Sequence, residues 1–221
     1  GELSAIIESK LITEIKTASD SILGAQLLAK PNSKILLIIG AGTVAESLVY
    51  AYSAAFPDLE KIMIWARRPD QSHKLIHKIK GINIKLEAVE DLKSYASIAD
   101  IISTATIAHE PILKGEWIKP GTHIDLIGAF TTDMREADDT LISSGSIFVD
   151  SRATTIDHIG ELTIPIANGI IKKNDIKGDF YDLLLSSKTA RRSENEITIF
   201  KNGGGAHLDL MIAKYLIDIS E

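Results

Sequence analysis

The segment Lys34–Ala45 joins a short apolar run to a glycine-rich turn and then to a helical pattern. The run Ile35–Ile39 predicts a strand that is buried on both faces, as in a parallel sheet. In the Gly-x-Gly-x-x-Ala turn that follows, the first glycine permits a tight bend and the second lets a pyrophosphate approach the backbone. The helix N-terminus beyond it favours an anion. We predict a dinucleotide site here, the alternative being a tight structural turn; the expected contacts are Gly40, Ala41, Gly42, Thr43, Val44 and Ala45.

The second predicted strand, Lys61–Trp65, is followed by Ala66, Arg67 and Arg68. Sites for NAD usually place an Asp or Glu at this point to hold the ribose 2′-hydroxyl. Two guanidinium groups suit a 2′-phosphate instead, because each can bind it with paired hydrogen bonds. We therefore predict NADPH or NADP+ as the cofactor and weaker binding of NADH. The alternative is that both arginines are solvated surface charges.

The composition of the chain excludes several functional classes. The chain has 221 residues, a net charge of −6 and no cysteine, which argues against broad nucleic-acid binding, disulfides and a thiol nucleophile. No apolar run approaches the roughly 20 residues of a membrane span, and no signal-peptide pattern opens the chain. The histidines show no metal-ligand spacing. We therefore expect a cytoplasmic protein that uses no metal and binds neither nucleic acid nor membrane.

Predicted strands alternate with predicted helices, which is typical of a doubly wound parallel α/β sheet. We expect a Rossmann domain over residues 31–190. Residues 1–30 are predicted as a linking helix and remnant of a second, substrate-binding domain, largely missing from this sequence, and residues 191–221 as the return to it. The predicted strands are Lys34–Ile39, Lys61–Trp65, Asn83–Leu86, Asp100–Thr104, His123–Ile127, Ile147–Asp150 and Glu196–Phe200. The predicted helices are Leu3–Ala29, Thr43–Phe56, Gln71–Lys80, Val89–Ser97, Asp138–Ser144, Ala153–His158, Lys177–Leu185 and Leu208–Ile219.

Several segments resemble the ornithine cyclodeaminase/mu-crystallin family in order and spacing over nearly the whole chain. The segment Leu11–Ser19 is similar to the family's LTxxRTAA helix start, and it precedes the glycine turn at the family's spacing. The other segments that carry the resemblance are Asp100–Thr106, His109–Leu113, Gly115–Trp117, Gly128–Asp138, Val149–Ser151 and Glu196–Asp209. The resemblance implies hydride transfer between a nicotinamide and the Cα of a small amino or imino acid. It also implies a homodimer of the full-length protein, formed through the substrate domain.

Phe130 distinguishes between the branches of that family. Its ornithine cyclodeaminases and alanine dehydrogenases have an Asp at the matching position, taken as the proton-transfer group. A phenyl ring cannot move a proton, so we expect the ketimine-reductase branch, which reduces an imine already formed. The predicted reaction converts Δ1-pyrroline-2-carboxylate to L-proline or a close relative. By the same resemblance, the remaining expected cofactor contacts are Ala105, Thr106, Phe130 and Gly203.

Three residues are predicted to act on the substrate. Lys16 matches the family Arg that holds the substrate carboxylate, and it supplies the charge without the fork of a guanidinium. Asp209 matches a family acid near the substrate, and His207 is able to donate a proton near neutral pH. The structural alternatives are a Lys lying along its helix and polar residues that begin a helix.

Other functions are compatible with parts of this pattern. One is a non-catalytic protein that binds NADPH and a small ligand, as some mu-crystallin relatives do. Ornithine cyclodeaminase or alanine dehydrogenase activity is another. A Rossmann protein similar to shikimate dehydrogenase or glutamyl-tRNA reductase would share the glycine turn and the two arginines. It would not explain the segments Gly115–Trp117 and Glu196–Asp209.

Overall fold

The computed structural model describes residues 3–185 and 190–220. Two short 3-10 turns, at Gly115–Trp117 and Lys173–Asp175, accompany the strands and helices of these ranges. The strands are β1 (Ile35–Ile39), β2 (Lys61–Trp65), β3 (Lys85–Val89), β4 (Ile101–Thr104), β5 (His123–Leu126), β6 (Ser146–Val149) and β7 (Thr198–Lys201). The helices are α1 (Ser9–Leu28), α2 (Thr43–Ala55), α3 (Pro69–Lys78), α4 (Leu92–Ala96), α5 (Asp139–Ser144), α6 (Arg152–Thr155), α7 (Gly160–Ala167), α8 (Phe180–Leu185) and α9 (Ala206–Asp218).

The strands form one parallel sheet in the order β3-β2-β1-β4-β5-β7-β6. The predicted doubly wound α/β fold is therefore confirmed. The direction of the strand order reverses between β1 and β4, and open sheets of this kind bind ligands beside the carboxyl ends of the strands at that point. The glycine turn leaves β1 there.

Two apolar clusters cover the two faces of the sheet. Side chains of a strand point alternately to opposite faces, so Leu37 and Ile39 of β1 join one cluster while Leu36 and Ile38 join the other. The second cluster includes residues of α1 and α2, which pack against each other. These four of the five β1 side chains are fully buried, as the continuous apolar run predicts.

The last strand of the chain lies inside the sheet. β7 comes from residues 191–221, for which a return to a second domain was predicted, and it pairs with β5 on one side and β6 on the other. The assignment of residues 1–30 and 191–221 to a second domain stays a prediction. The predicted end of the Rossmann domain, residue 190, adjoins residues 186–189, which lie outside the described part of the chain.

Several predicted boundaries differ from the observed ones. The first helix begins at Ser9 rather than Leu3, since Leu3 and Ile6 are exposed and give a helix nothing to pack against. β3 lies at Lys85–Val89 because it pairs along its length with β2. The helix Gly160–Ala167 was not predicted, because Pro165 inside it is a residue that ordinarily interrupts helices.

Two searches of the described residues were negative. None of their helices combines the length and the apolar character needed to cross a membrane. Across residues 3–185 and 190–220, no three His, Cys, Asp or Glu side chains are grouped as metal ligands would be.

Candidate functional site

The two glycines of the turn after β1 are required for different reasons. Gly40 has φ +130°, and a Cβ there would collide with the carbonyl oxygen of Ala105. Backbone conformation and packing within the protein therefore require glycine at this position. Gly42 has φ −90°, and a Cβ there would meet no atom within 4 Å. Because neither backbone nor packing explains Gly42, its missing side chain leaves open space before the N-terminus of α2, where a phosphate group fits.

Seven of the predicted cofactor contacts line one cleft of about 380 Å³ beside this turn. Arg67 and Arg68 are exposed at its rim, just before Pro69 begins α3. The seven residues are Gly40, Ala41, Gly42, Arg67, Arg68, Ala105 and Thr106.

The other predicted cofactor contacts lie elsewhere. Thr43, Val44 and Ala45 form the first turn of α2, where Ala45 is fully buried and lets the helix pack closely on the sheet. Phe130 and Gly203, both in the described part of the chain, do not line the cleft. Their contact with a cofactor stays a prediction.

Glu136, which was not predicted as a functional residue, holds Thr106 of the cleft lining in place. Its fully buried carboxylate accepts hydrogen bonds from Thr104 Oγ1 at 2.6 Å, from both N and Oγ1 of Thr106 at 2.8 Å, and from Gly128 N at 2.6 Å. These contacts tie the carboxyl end of β4 to that of β5. An acidic residue in a polar segment reads as a solvated charge, so only the buried strand ends around it could have signalled this role.

A second buried carboxylate, that of Glu161, holds the backbone at Glu136. Glu161 accepts hydrogen bonds from the backbone N–H groups of Glu136, at 2.8 Å, and Ala137, at 3.0 Å. Burial, with the charge of Glu136 as a smaller cause, raises the pKa of Glu161 to about 7. The loop that carries Glu136 is therefore fixed at both its side chain and its backbone.

A second pocket, of about 290 Å³, lies where α1 meets α9. Its polar lining includes Lys16, Asp20 and Asp150 together with His207. The apolar part of its wall consists of Leu23, Phe180, Tyr181, Leu184, Leu208, Met211 and Ile212. A pocket with few polar groups and an apolar wall suits a small ring compound that carries a charged substituent.

Two of the three residues predicted to act on the substrate, Lys16 and His207, line this pocket, and the third, Asp209, contacts Lys16 without being part of the lining. Lys16 Nζ lies 2.5 Å from Asp209 Oδ1, and the side chain of Lys16 is 17% exposed. His207 lines the same pocket from the first turn of α9. The ammonium of Lys16 has three donors and Asp209 takes one of them, so donors remain for a ligand carboxylate.

Asp150, at the end of β6, anchors the glycine run that precedes α9. Its Oδ2 accepts hydrogen bonds from the backbone N–H groups of Gly203, at 3.0 Å, and Gly204, at 2.7 Å, while its Oδ1 accepts one from Thr155 Oγ1. A Cβ at Gly203 would collide with Thr155, so packing within the protein requires that glycine. Gly204, with φ +69° and no atom within 4 Å of a Cβ, is the glycine with open space in front of it.

A buried lysine connects the ends of the central strands. Lys201 of β7 is fully buried, and its Nζ donates to the carbonyl oxygens of Leu126 at 2.9 Å, Ile127 at 3.3 Å and Asn202 at 2.5 Å. Burial lowers the pKa of Lys201, and nearby carboxylates, first among them that of Glu161, oppose the shift. Donation to three carbonyl oxygens uses all three hydrogens of an ammonium group, so the geometry fits the charged form of Lys201 among these acids.

Asn202 continues this network to α1. Its Nδ2 donates to Thr17 O at 3.1 Å and to Ser21 Oγ at 3.0 Å, and Ser21 Oγ donates to Asp125 of β5. Asp125 also accepts from Ser103 and Tyr52. Burial raises the pKa of Asp125 to about 6. The helix that carries Lys16 is therefore positioned by the same polar network as the strand ends.

The sequence matches the profile of the ornithine cyclodeaminase/mu-crystallin family over residues 1–220. The chain belongs to this family. A Δ1-pyrroline-2-carboxylate reductase of Paracoccus denitrificans is 57% identical to it over 98% of this chain and 68% of the relative. The ketimine reductase mu-crystallin of Mus musculus is 32% identical over 99% of the chain and 66% of the relative.

Solved structures of the family share the fold described above. The Δ1-pyrroline-2-carboxylate reductase of Thermococcus litoralis, in complex with NADH and L-proline, superimposes with a TM-score of 0.88 at 32% identity. That match covers 92% of this chain and 63% of the other, so the chain spans just under two thirds of this family structure. An archaeal alanine dehydrogenase dimer with bound NAD has a TM-score of 0.84 at 29% identity, with 92% and 62% coverage.

Proposed function

We propose that this chain carries the cofactor-binding part and much of the substrate site of an NADPH-dependent reductase for Δ1-pyrroline-2-carboxylate. The product is L-proline. The 57% identity to a reductase of this kind supports the proposal, although the chain spans 68% of that relative's length. The structural observation that carries it is the Lys16–Asp209 pair, whose lysine lines a small pocket with an apolar wall.

The cleft beside β1 has the features that a dinucleotide requires. The open space at Gly42 and the N-terminus of α2 suit the pyrophosphate. Arg67 and Arg68 at the rim suit a 2′-phosphate, which supports NADPH over NADH. The Thermococcus litoralis reductase, by contrast, was solved with NADH. When bound, the reduced nicotinamide supplies the hydride that C2 of the imine accepts.

The second pocket provides what a cyclic imino acid needs. Lys16 offers donors to the carboxylate, and the apolar wall packs against the ring. Asp209, beside Lys16, places a negative charge where it stabilises a protonated imine nitrogen. Addition of hydride to C2 then neutralises the iminium, and the substrate brings its own nitrogen proton.

Phe130 is consistent with a reaction that needs no proton from this position. It follows β5 after Gly128 and Ala129, and the residue is 65% exposed. A family member that deaminates ornithine needs a proton-transfer group there, as the resemblance implies. We therefore place this chain with the enzymes that reduce a preformed imine.

We also propose that the complete protein is a homodimer. The alanine dehydrogenase neighbour is a dimer. Six large apolar residues of the last two described helices are exposed, as expected for surfaces that another part of the complete protein covers. They are Tyr181, Leu184, Leu185, Leu210, Met211 and Tyr215.

The proposal is tested by following NADPH oxidation with a panel of imines. The panel contains Δ1-pyrroline-2-carboxylate, Δ1-piperideine-2-carboxylate, and pyruvate with ammonia. The assay uses this chain and, if the gene encodes a longer one, the complete product. Turnover of the cyclic imines alone is the expected result. Binding of NADPH without turnover of any imine by the complete product would instead favour the non-catalytic binding function.

A further inference from the structure

Asp20 lies one helical turn after Lys16 on α1, so the two side chains share a face of the helix. Both line the second pocket. Asp20 is 5% exposed, and among the residues that the structure describes its Oδ2 has no hydrogen-bond partner. A buried polar atom without a partner is costly and calls for an explanation. This carboxyl group has no part in the proposed reaction.

The surroundings of Asp20 favour its neutral form. Burial is the largest cause and the charges of Asp150 and Asp125 add to it, which together raise the pKa of Asp20 to about 8. Lys201 and Lys16 oppose the shift. The other titratable side chains that line the pocket are Tyr181 and His207. Near pH 7 Asp20 therefore carries a proton and acts as a hydrogen-bond donor.

We propose that Lys16 and the carboxyl group of Asp20 together hold the carboxylate of the bound ligand, each donating one hydrogen bond. The inference rests on the proposed function, which places a small carboxylate in this pocket. An arginine would hold such a group with a two-pronged fork, and a lysine alone cannot. A second donor four residues later restores a two-point grip. The absence of a hydrogen-bond partner for Asp20 Oδ2 among the described residues is then explained, because its partner is the bound ligand.

The arrangement makes carboxylate binding dependent on pH. Deprotonated Asp20 donates no hydrogen bond and repels a carboxylate, so affinity falls as the pH rises through about 8. A neutral ligand of the same shape is not repelled. Asparagine at position 20 keeps a donor that does not titrate, whereas leucine has no donor.

The test measures binding of pyrrole-2-carboxylate, a planar analogue of the imine, by calorimetry in the presence of NADP+. Pyrrole-2-carboxamide serves as the neutral ligand. For the wild type, affinity for the carboxylate should fall about tenfold between about pH 7 and pH 9.5, the effect of losing one charge-assisted hydrogen bond. Asp20→Asn should lose less than about threefold over the same range, and Asp20→Leu should bind about tenfold more weakly already at pH 7. The carboxamide should show no such fall.

Controls separate this role from a structural one. All titratable groups other than Asp20 are the same in the wild type and in Asp20→Asn. The difference between their pH dependences of ligand affinity therefore reports on Asp20 alone. Asp58→Leu changes an exposed aspartate outside the pocket and should leave the binding unchanged. Thermal unfolding shows whether Asp20→Leu is folded. If it is not, the comparison of pH dependence between Asp20→Asn and the wild type decides the test.

Two results would overturn the inference: wild-type affinity in folded Asp20→Leu, or an equal alkaline loss of affinity in Asp20→Asn and the wild type. Failure of the proposed function looks different. In that case the carboxylate analogue binds with the expected pH dependence while no imine is reduced. If imines are reduced with an unchanged KM in Asp20→Leu, the reductase stands and the role of Asp20 does not.

Discussion

Lys16 of α1 and Asp209 of α9 meet through a 2.5 Å contact between Nζ and Oδ1, although 193 positions separate them in the chain. α1 precedes the first strand and α9 follows the last, so the pair joins the two ends of the described fold. Because the side chain of Lys16 is mostly buried while that of Asp209 is 42% exposed, a ligand is able to reach the pair from the side of Asp209.

Replacing Lys16 should weaken the binding of imine more than that of cofactor. Lys16→Met removes the charge that we assign to the carboxylate, and we expect KM for Δ1-pyrroline-2-carboxylate to rise about tenfold or more. Lys16→Arg should keep KM for the imine at the wild-type value or lower it, since the guanidinium fork suits a carboxylate. Steady-state kinetics with saturating NADPH measure both. An unchanged KM in Lys16→Met would contradict the assignment.

Arg67 is expected to select for the 2′-phosphate. Arg67→Asp should reduce the affinity for NADPH about tenfold or more and change that for NADH far less, because only NADPH carries the phosphate. Fluorescence titration of the two cofactors provides the comparison. Arg192→Asp, an exposed arginine outside the cleft, is the matched control. Equal losses for both cofactors would argue against the 2′-phosphate site.

A side chain at Gly40 should affect stability, whereas a side chain at Gly42 should affect the binding of NADPH. Gly40→Ala forces a positive φ and a collision with Ala105, and should lower the free energy of unfolding by about 1 to 3 kcal/mol. Gly42→Val has room in the protein and should leave the free energy of unfolding within about 1 kcal/mol while NADPH affinity falls about tenfold or more. Urea unfolding and NADPH titration of each variant test this. Normal NADPH affinity in Gly42→Val would mean that no phosphate passes there.

A carboxyl group at position 130 should not prevent cofactor binding. The side chain of Phe130 is exposed and lies outside the cleft lined by Arg67 and Thr106. We expect Phe130→Asp to bind NADPH within about threefold of the wild type, a change of less than 1 kcal/mol. The same titration measures it, and loss of NADPH binding would show that the predicted contact of Phe130 with the cofactor is essential to cofactor binding.

Asp20 should also make the protein less stable at alkaline pH. Its pKa rises from 3.8 to about 8 on folding, so its stabilising contribution is complete below about pH 4 and is lost as the pH approaches 8. The free energy of unfolding should therefore fall between about pH 6.5 and pH 8.5, a range above the ordinary pKa of histidine. Asp20→Asn should show a smaller fall in urea unfolding. Identical pH dependence in the two proteins would mean that Asp20 is already ionised near neutral pH.

The cofactor cleft was the part most accessible to prediction. Its glycine turn and β1 form one continuous segment, so local rules of strand, turn and helix apply. Arg67 and Arg68 were found because they directly follow the neighbouring strand. Parallel pairing then brings the ends of β1, β2 and β4 together whatever the details of the packing.

The buried charges were not accessible in the same way. Asp20, Glu136 and Lys201 look like surface residues in a sequence, because their burial depends on partners far along the chain. Glu136, for example, is held by Thr104, some 32 residues earlier. The strand itself was predicted, at Glu196–Phe200, but its pairing with β5 and β6 was not, since a short apolar run contains no information about which strands it will pair with.

The position of β7 also bears on the order in which the molecule is completed during synthesis. β6 leaves the ribosome about 50 residues before the strand that it pairs with. Until residues 198–201 emerge, β5 and β6 have no strand between them, and the carboxylates that Lys201 will neutralise lack their counter-charge. A nascent chain stopped before Thr198 therefore exposes two unpaired strand edges, and the last of the described strands is the one that closes the sheet.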